Sequence, residues 1–142
     1  MKVVIVGGVA GGATAAARIR RLDEKAEIVV FERSGYISYA NCGLPYYIGD
    51  VITDAEELTL QTPESFYSRF RVDMRVHHEV TAIHPEKKTV SVKNLKTGEE
   101  FEESYDKLIL SPGAKPTQPR FPGADLDKVF TLRTVEDTLR IK

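Results

Sequence analysis

The sequence predicts the α/β class: a central parallel sheet carrying a βαβ unit, with a small antiparallel β-meander attached. Three observations predict it. Residues 3–6, 28–31 and 108–110 are apolar runs without polar alternation, the pattern of strands covered on both faces. A glycine-rich segment, 7–12, joins the first run to an Ala- and Arg-rich stretch, 13–22, of helical composition. From residue 89 onward the pattern changes to alternation, as in an antiparallel strand with one wet face.

Taken in order, strand, glycine turn, helix and second strand fall within about thirty residues, a βαβ unit whose crossover is right-handed. Residues 34–62 read as irregular, with a short helix at Leu44–Ile48. Thr62 as N-cap and Pro63 in the first turn open another helix, with Ser65 beside the N3 position. Residues 75–83 read as one strand. The stretch 89–93, the turn 94–98 and the return 100–105 form the meander. The run 108–110 is again a buried parallel strand, ending in Ser111-Pro112-Gly113-Ala114. Pro116, Pro119 and Pro122 mark an extended exit, and 129–142 begin a new element that stops in mid-pattern without a terminator. The sequence therefore reads as the first part of something longer.

Composition narrows the function classes. The 142 residues are 42% hydrophobic and 29% charged, with 20 Lys and Arg against 21 Asp and Glu, a net charge of −1. A polyanion binder carries a basic excess, so nucleic acid is not expected as a partner. No apolar run approaches the ~20 residues of a membrane helix, and the four glycines and the arginines at 18, 20 and 21 argue against a signal peptide. Cys42 is the only cysteine. It excludes an internal disulfide and an all-cysteine metal site, and suits a reducing, cytoplasmic home. His77, His78 and His84 lie around a strand, where neighbours face opposite ways, without a carboxylate cluster, so no metal is expected.

Gly7, Gly8, Val9, Ala10, Gly11 and Gly12 lie between strand and helix, where a dinucleotide turn belongs. Gly7 permits the tight turn, Gly12 the close packing of helix on strand, and the amides at the helix start face a pyrophosphate. Val9 stands where the strict pattern has its middle glycine. Glu32 ends the second strand, placed to accept hydrogen bonds from an unphosphorylated ribose, as in FAD or NAD. The small turn Ser111, Gly113 and Ala114 after a buried strand favours FAD in a Rossmann-like FAD-binding fold. The competing reading is a glycine turn that only packs a helix on a sheet.

Cys42 sits between Asn41 and Gly43, just before the short helix. Single cysteines are commonly core filler. At a helix N-terminus, however, the dipole and free N–H groups favour the thiolate, which is the nucleophile. Arg18 and Arg21, three apart on the first helix, share a face.

The glycine turn, Phe31-Glu32-Arg33, the block 38–45 around Asn41-Cys42-Gly43, and the block 105–114 ending in Ser111-Pro112-Gly113-Ala114 together resemble the single-cysteine flavoprotein disulfide reductases. The resemblance is to the coenzyme A (CoA) disulfide reductase type, including forms fused to a rhodanese domain. It implies that residues 1–142 are the first segment of an FAD-binding domain, with NAD(P)H-binding and dimerisation domains beyond Lys142 and a homodimer as the full protein. The segment alone is then not expected to turn over. It also implies that Arg33, Asn41 and Val80 contact FAD, and that Thr14, Arg18, Arg21, Ser38 and Asn41 line the CoA pocket. A family lysine corresponds to Phe70 here, which leaves Arg69 or Arg71 as the substitute. Two-cysteine relatives carry their second cysteine where this sequence has Tyr47, so the second sulfur must come from outside. The expected reaction is NAD(P)H-driven reduction of CoA disulfide or persulfide through a Cys42–S–S–CoA mixed disulfide. The alternatives are an NADH oxidase or peroxidase using a Cys42 sulfenic acid, which Asn41 disfavours because those relatives carry serine there, and an isolated FAD-binding module. Tyr46 and Tyr47 are expected to pack in the wall of the site, with stacking on the flavin as the alternative.

Overall fold

The structure is a computed structural model that describes residues 1–142. The chain forms two compact units: Met1–Ser38 with Gln61–Pro112, and Tyr39–Leu60 with Gly113–Lys142.

The first unit holds both sheets. Strands β1 (Lys2–Val6), β2 (Glu27–Glu32), β3 (Asp73–Val76) and β7 (Lys107–Leu110) form a parallel sheet in the order β3-β2-β1-β7. Alternate residues point to opposite faces of a strand, and here both faces are covered. Val3, Ile5, Ile28 and Val30 pack with Ala13 and Ala16 of helix α1 (Ala10–Leu22) and Phe66 of helix α3 (Pro63–Phe70). Val4, Val29 and Phe31 pack with Val90 and Val92 on the other side. Those two valines belong to β5 (Thr89–Asn94), the middle strand of an antiparallel sheet with β4 (His78–His84) and β6 (Glu100–Ser104). Burial on two sides explains why the first strands read as unbroken apolar runs.

Two expectations need adjustment. Residues 75–83 are not one strand. His77 adopts φ 56°, and the break hands the chain from parallel β3 to antiparallel β4. The amide of His77 donates to the Ser34 carbonyl at 3.0 Å, and its own carbonyl accepts from Leu95 at 2.8 Å. No glycine or proline marks the break, so the pattern ran straight through it. Helix α1 begins at Ala10 rather than Ala13, so Gly11 and Gly12 lie in its first turn. In α3, Thr62 and Ser65 form a reciprocal capping box, with Ser65 in the N3 position itself.

A chain of charges ties the ends of these strands. Lys2 pairs with Glu27 at 2.8 Å and Glu103 at 2.6 Å, and Arg75 pairs with Asp73 at 2.7 Å and with the same Glu103 at 3.0 Å. The bond to Glu103, then that to Glu27, raises the Lys2 ammonium above its ordinary pKa.

In the second unit a single 3₁₀ turn, Asn41–Gly43, runs into the short helix α2 (Leu44–Ile48), which packs against α4 (Val135–Ile141). A second 3₁₀ turn, Ala55–Leu58, buries Leu58 fully. The Ala40 amide donates to the Leu58 carbonyl at 2.8 Å, and Tyr39 bridges to Thr59. No helix is long and apolar enough to cross a membrane.

Candidate functional site

The glycine turn leaves β1 with Gly7 at φ +97°; a Cβ there would fall on the Ser111 carbonyl. The Gly7 amide donates to the Phe31 carbonyl at 2.8 Å, and the Ser111 amide to the Val6 carbonyl at 2.8 Å. Gly12 is pressed so close to the turn that a Cβ would meet the Gly7 carbonyl. These contacts bring the first turn of α1 against the ends of β1 and β7. Val9 is the N-cap of α1, with φ −97° and no side-chain cap bond, so the helix start is left to its own amides. The Ser111 Oγ lies 3.1 Å from where a side chain on Gly11 would begin.

Glu32 is one of two buried polar residues, 8% exposed. Its two carboxylate oxygens accept from the amides of Gly8 and Ser34, each at 2.8 Å. Each oxygen retains a second lone pair for a further donor. A cleft beside it is lined by Gly7, Glu32, Arg33, Val80 and Pro112, with His78 and Glu79 added. An uncapped helix start, a glycine cradle and a buried acceptor at the end of β2 fit a dinucleotide such as FAD. His78 and Glu79 carried no signal for this cleft in the sequence. The His78 ring stands near Phe31 and Phe101, with centroids 6.2 and 6.1 Å away, and its Nδ1 faces the Val76 carbonyl at 2.7 Å. His84 bonds Ser91 Oγ at 2.8 Å, and no cluster of three metal-ligating side chains forms.

A second groove opens on the same unit. Thr14, Arg18 and Arg21 line it from α1, Ser38 from the loop after β2, and Arg69 from α3, over a floor that includes Ala13, Ala17, Phe66 and Phe70. Four of the five residues expected at the CoA pocket meet here; Asn41 belongs to the other unit. Arg69 stands in the groove beside Phe70, 5.1 Å from its ring centroid. Arg71 instead ends α3 in the left-handed conformation, φ 52°, over Tyr67. Arg20 has a different task from its neighbours. Its guanidinium donates to the carbonyls of Asp23 and Glu24 after α1 and of Phe70 and Arg71 at the end of α3, at 2.6–3.2 Å.

The thiol turn belongs to the second unit. Cys42 is exposed, in the middle of the 3₁₀ turn. It lies one residue before Gly43, the N-cap of α2. The turn is closed by the Gly43 amide on the Ala40 carbonyl at 2.9 Å. A side chain on Gly43 would start 3.2 Å from Leu58. Tyr46 is exposed, whereas Tyr47 lies under the Lys142 ammonium, 3.9 Å from its ring centroid. Arg133, 92 positions away, donates from Nη1 to Asn41 Oδ1 at 3.2 Å and from Nε to the Ala114 carbonyl at 3.3 Å. Gly113 and Ala114 thus group with Asn41, not with Ser111. Nothing in the local sequence signalled Arg133.

A family model described as pyridine nucleotide-disulphide oxidoreductase matches residues 1–142. Coenzyme A disulfide reductase of Staphylococcus aureus is 53% identical over 137 residues, 96% of this chain and 31% of the relative. The chain therefore spans about a third of that relative's length. Among solved structures, reduced Bacillus anthracis CoADR-RHD superposes with a TM-score of 0.95 at 57% identity, covering 99% of this chain and 25% of that one. The NAD-dependent persulfide reductase from A. fulgidus gives 0.92 at 35% identity, over 99% of this chain and 27% of that one.

Proposed function

The chain belongs to the pyridine nucleotide-disulphide oxidoreductase family, and on that premise we propose that it is the FAD- and thiol-bearing part of an enzyme reducing CoA disulfide or CoA persulfide. The observation that carries the substrate is the groove where Arg18, Arg21 and Arg69 converge with Thr14 and Ser38 over an apolar floor. Coenzyme A carries a diphosphate, a ribose phosphate and a long uncharged arm, and guanidinium groups bind phosphate with charge-assisted hydrogen bonds. The S. aureus relative, named for the same substrate, supports the reading.

Gly7, Gly8, Val9, Ala10, Gly11 and Gly12 hold the FAD pyrophosphate, and Glu32 receives the ribose. Arg33 and Val80 flank that cleft, and Ser111, Gly113, Ala114 and Asn41 complete the flavin's surroundings. FAD, when bound, supplies two-electron transfer between a nicotinamide and a disulfide. Cys42 does the sulfur chemistry. Its thiolate attacks one sulfur of CoA disulfide, forming Cys42–S–S–CoA and expelling one CoA thiolate. Two electrons then break the mixed disulfide, restoring the Cys42 thiolate and releasing the second CoA as a thiolate that takes a proton. Tyr47 cannot serve as a resolving thiol, so the mixed disulfide persists until those electrons arrive. The reading assigns NAD(P)H to a site outside these residues, a homodimer to the assembled enzyme, and the cytoplasm as its compartment, where a lone thiol stays reduced.

Mass spectrometry of the purified protein mixed with CoA disulfide tests this. A CoA adduct on Cys42, with FAD released on denaturation, is the expected result. A Cys42 carrying only a sulfenic or sulfinic oxygen would replace this reading with the oxidase or peroxidase reading.

A further inference from the structure

We infer that the groove on the first unit has a direction, with the phosphates of CoA at one end and its uncharged arm at the other, and that Gln61 is a residue that binds the arm. That assignment rests on the CoA reading and adds to it a direction and a residue. The direction follows from the two helices that line the groove. Both α1 and α3 pack on the same face of the parallel sheet. Arg20, in the last turn of α1, donates to the Phe70 and Arg71 carbonyls at the end of α3, at 2.8 and 2.9 Å. The two C-terminal ends therefore lie side by side. Arg21 and Arg69 stand in those last turns, with Arg18 three positions before Arg21. The other end carries no charge. Thr14 lies near the start of α1, about 10 Å of helix rise before Arg21. The Ser38 amide donates to the Gly8 carbonyl at 3.0 Å, which holds Ser38 beside that same start. Gln61 immediately precedes Thr62, the N-cap of α3.

No carboxylate lines the groove. CoA has the matching asymmetry: phosphates at its nucleotide end, then an arm whose polar groups are neutral amides and a hydroxyl. A phosphate that leaves water needs a charged partner, so it settles at the guanidinium end. The arm then runs toward the helix starts, where Gln61 lines the groove. Gln61 Oε1 accepts from Ser65 Oγ at 3.0 Å. Ser65 is the N3 residue of the capping box that starts α3, so the carboxamide is tied to the first turn of the helix. Its amino group keeps its donors for a carbonyl of the arm. A side chain already tied in place loses little rotamer freedom on binding.

Titration calorimetry of the purified FAD-loaded protein tests this with two probes. One is pantetheine, the uncharged arm with its thiol; the other is adenosine 3′,5′-bisphosphate, a phosphate-bearing nucleotide without the arm. Gln61→Leu should weaken pantetheine about fivefold, the loss of one neutral hydrogen bond, and leave the bisphosphate at its wild-type affinity. Arg69→Ala should do the reverse, weakening the bisphosphate about tenfold by loss of a charge-assisted bond and sparing pantetheine. A merely structural disturbance would move both probes together. Should Gln61→Leu fail to fold, Gln61→Glu keeps an oxygen for Ser65 but removes the amino donors, and should weaken pantetheine equally. Wild-type affinity for pantetheine in either Gln61 variant, equal weakening of both probes in Gln61→Leu, or no binding of pantetheine to the wild-type protein overturns the inference. Turnover of CoA disulfide by the wild-type protein is followed separately. Its absence defeats the substrate reading and leaves the two probes to decide Gln61 alone.

Discussion

The glycine turn and the thiol turn are built on opposite principles. The glycine turn is shaped mainly by close backbone approach: Gly7 at positive φ against the Ser111 carbonyl, and Gly12 against the Gly7 carbonyl. One side chain enters, the Glu32 carboxylate on the Gly8 amide, and α1 has no side-chain cap. The thiol turn has ordinary backbone and is held by remote groups: the Leu58 carbonyl on Ala40, Arg133 on Asn41, and Lys142 on Tyr47. On the proposed FAD reading the first has to be exact in backbone, because a phosphate would meet its N–H groups directly. The second keeps its sulfur exposed.

Substitutions at the two regions separate these designs. The largest effect is expected from Cys42→Ser. Turnover of CoA disulfide should fall roughly a thousandfold or more, as removal of a nucleophile does, while FAD remains bound. Flavin absorbance and steady-state rate measured on one sample check it, and retained reductase activity would remove Cys42 from the mechanism.

Gly12→Ala breaks the other region from within. The new methyl has only backbone to push against, so the cost is about 2–3 kcal/mol of stability by overpacking, together with weakened FAD retention. Urea unfolding and FAD titration report the two effects; an unchanged midpoint and affinity would mean the helix does not need to approach the turn so closely.

A smaller effect sharpens the contrast within one helix. Arg18→Ala combined with Arg21→Ala should raise KM for CoA disulfide about tenfold, the loss of roughly one charge-assisted hydrogen bond's worth of binding. A small uncharged disulfide should be unaffected. Arg20→Ala, which removes the guanidinium donor from four backbone carbonyls, should lower thermal stability and leave KM unchanged. Equal KM changes for both disulfides would reject the phosphate role.

Arg20 and Arg21 also show where sequence reasoning stops. The two are adjacent in the chain and alike in chemistry, and nothing local in the sequence gives them different partners. Only the packing of α3 beside α1 divides them, turning Arg20 to the carbonyls of Phe70 and Arg71 and leaving Arg21 in the groove. The choice between Arg69 and Arg71 was open for the same reason. Helix α3 ends at Phe70, which leaves Arg69 in the groove and Arg71 past the helix in the left-handed conformation. The split at His77 went unseen because a non-glycine residue adopts positive φ there, its backbone groups taken up by Ser34 and Leu95.

By itself, the sequence determined the βαβ unit, the glycine turn with Glu32 at the end of β2, and the solitary thiol. Each is written in residues close together in the chain, where periodicity, glycine sterics and caps act. The tertiary structure alone decided the partners of side chains: Arg69 in the groove, Arg20 on carbonyls, Arg133 on Asn41. Long, flexible, charged side chains carry no periodic signal of their targets. A hydrogen bond between residues 92 apart exists only once the fold has brought their backbones together.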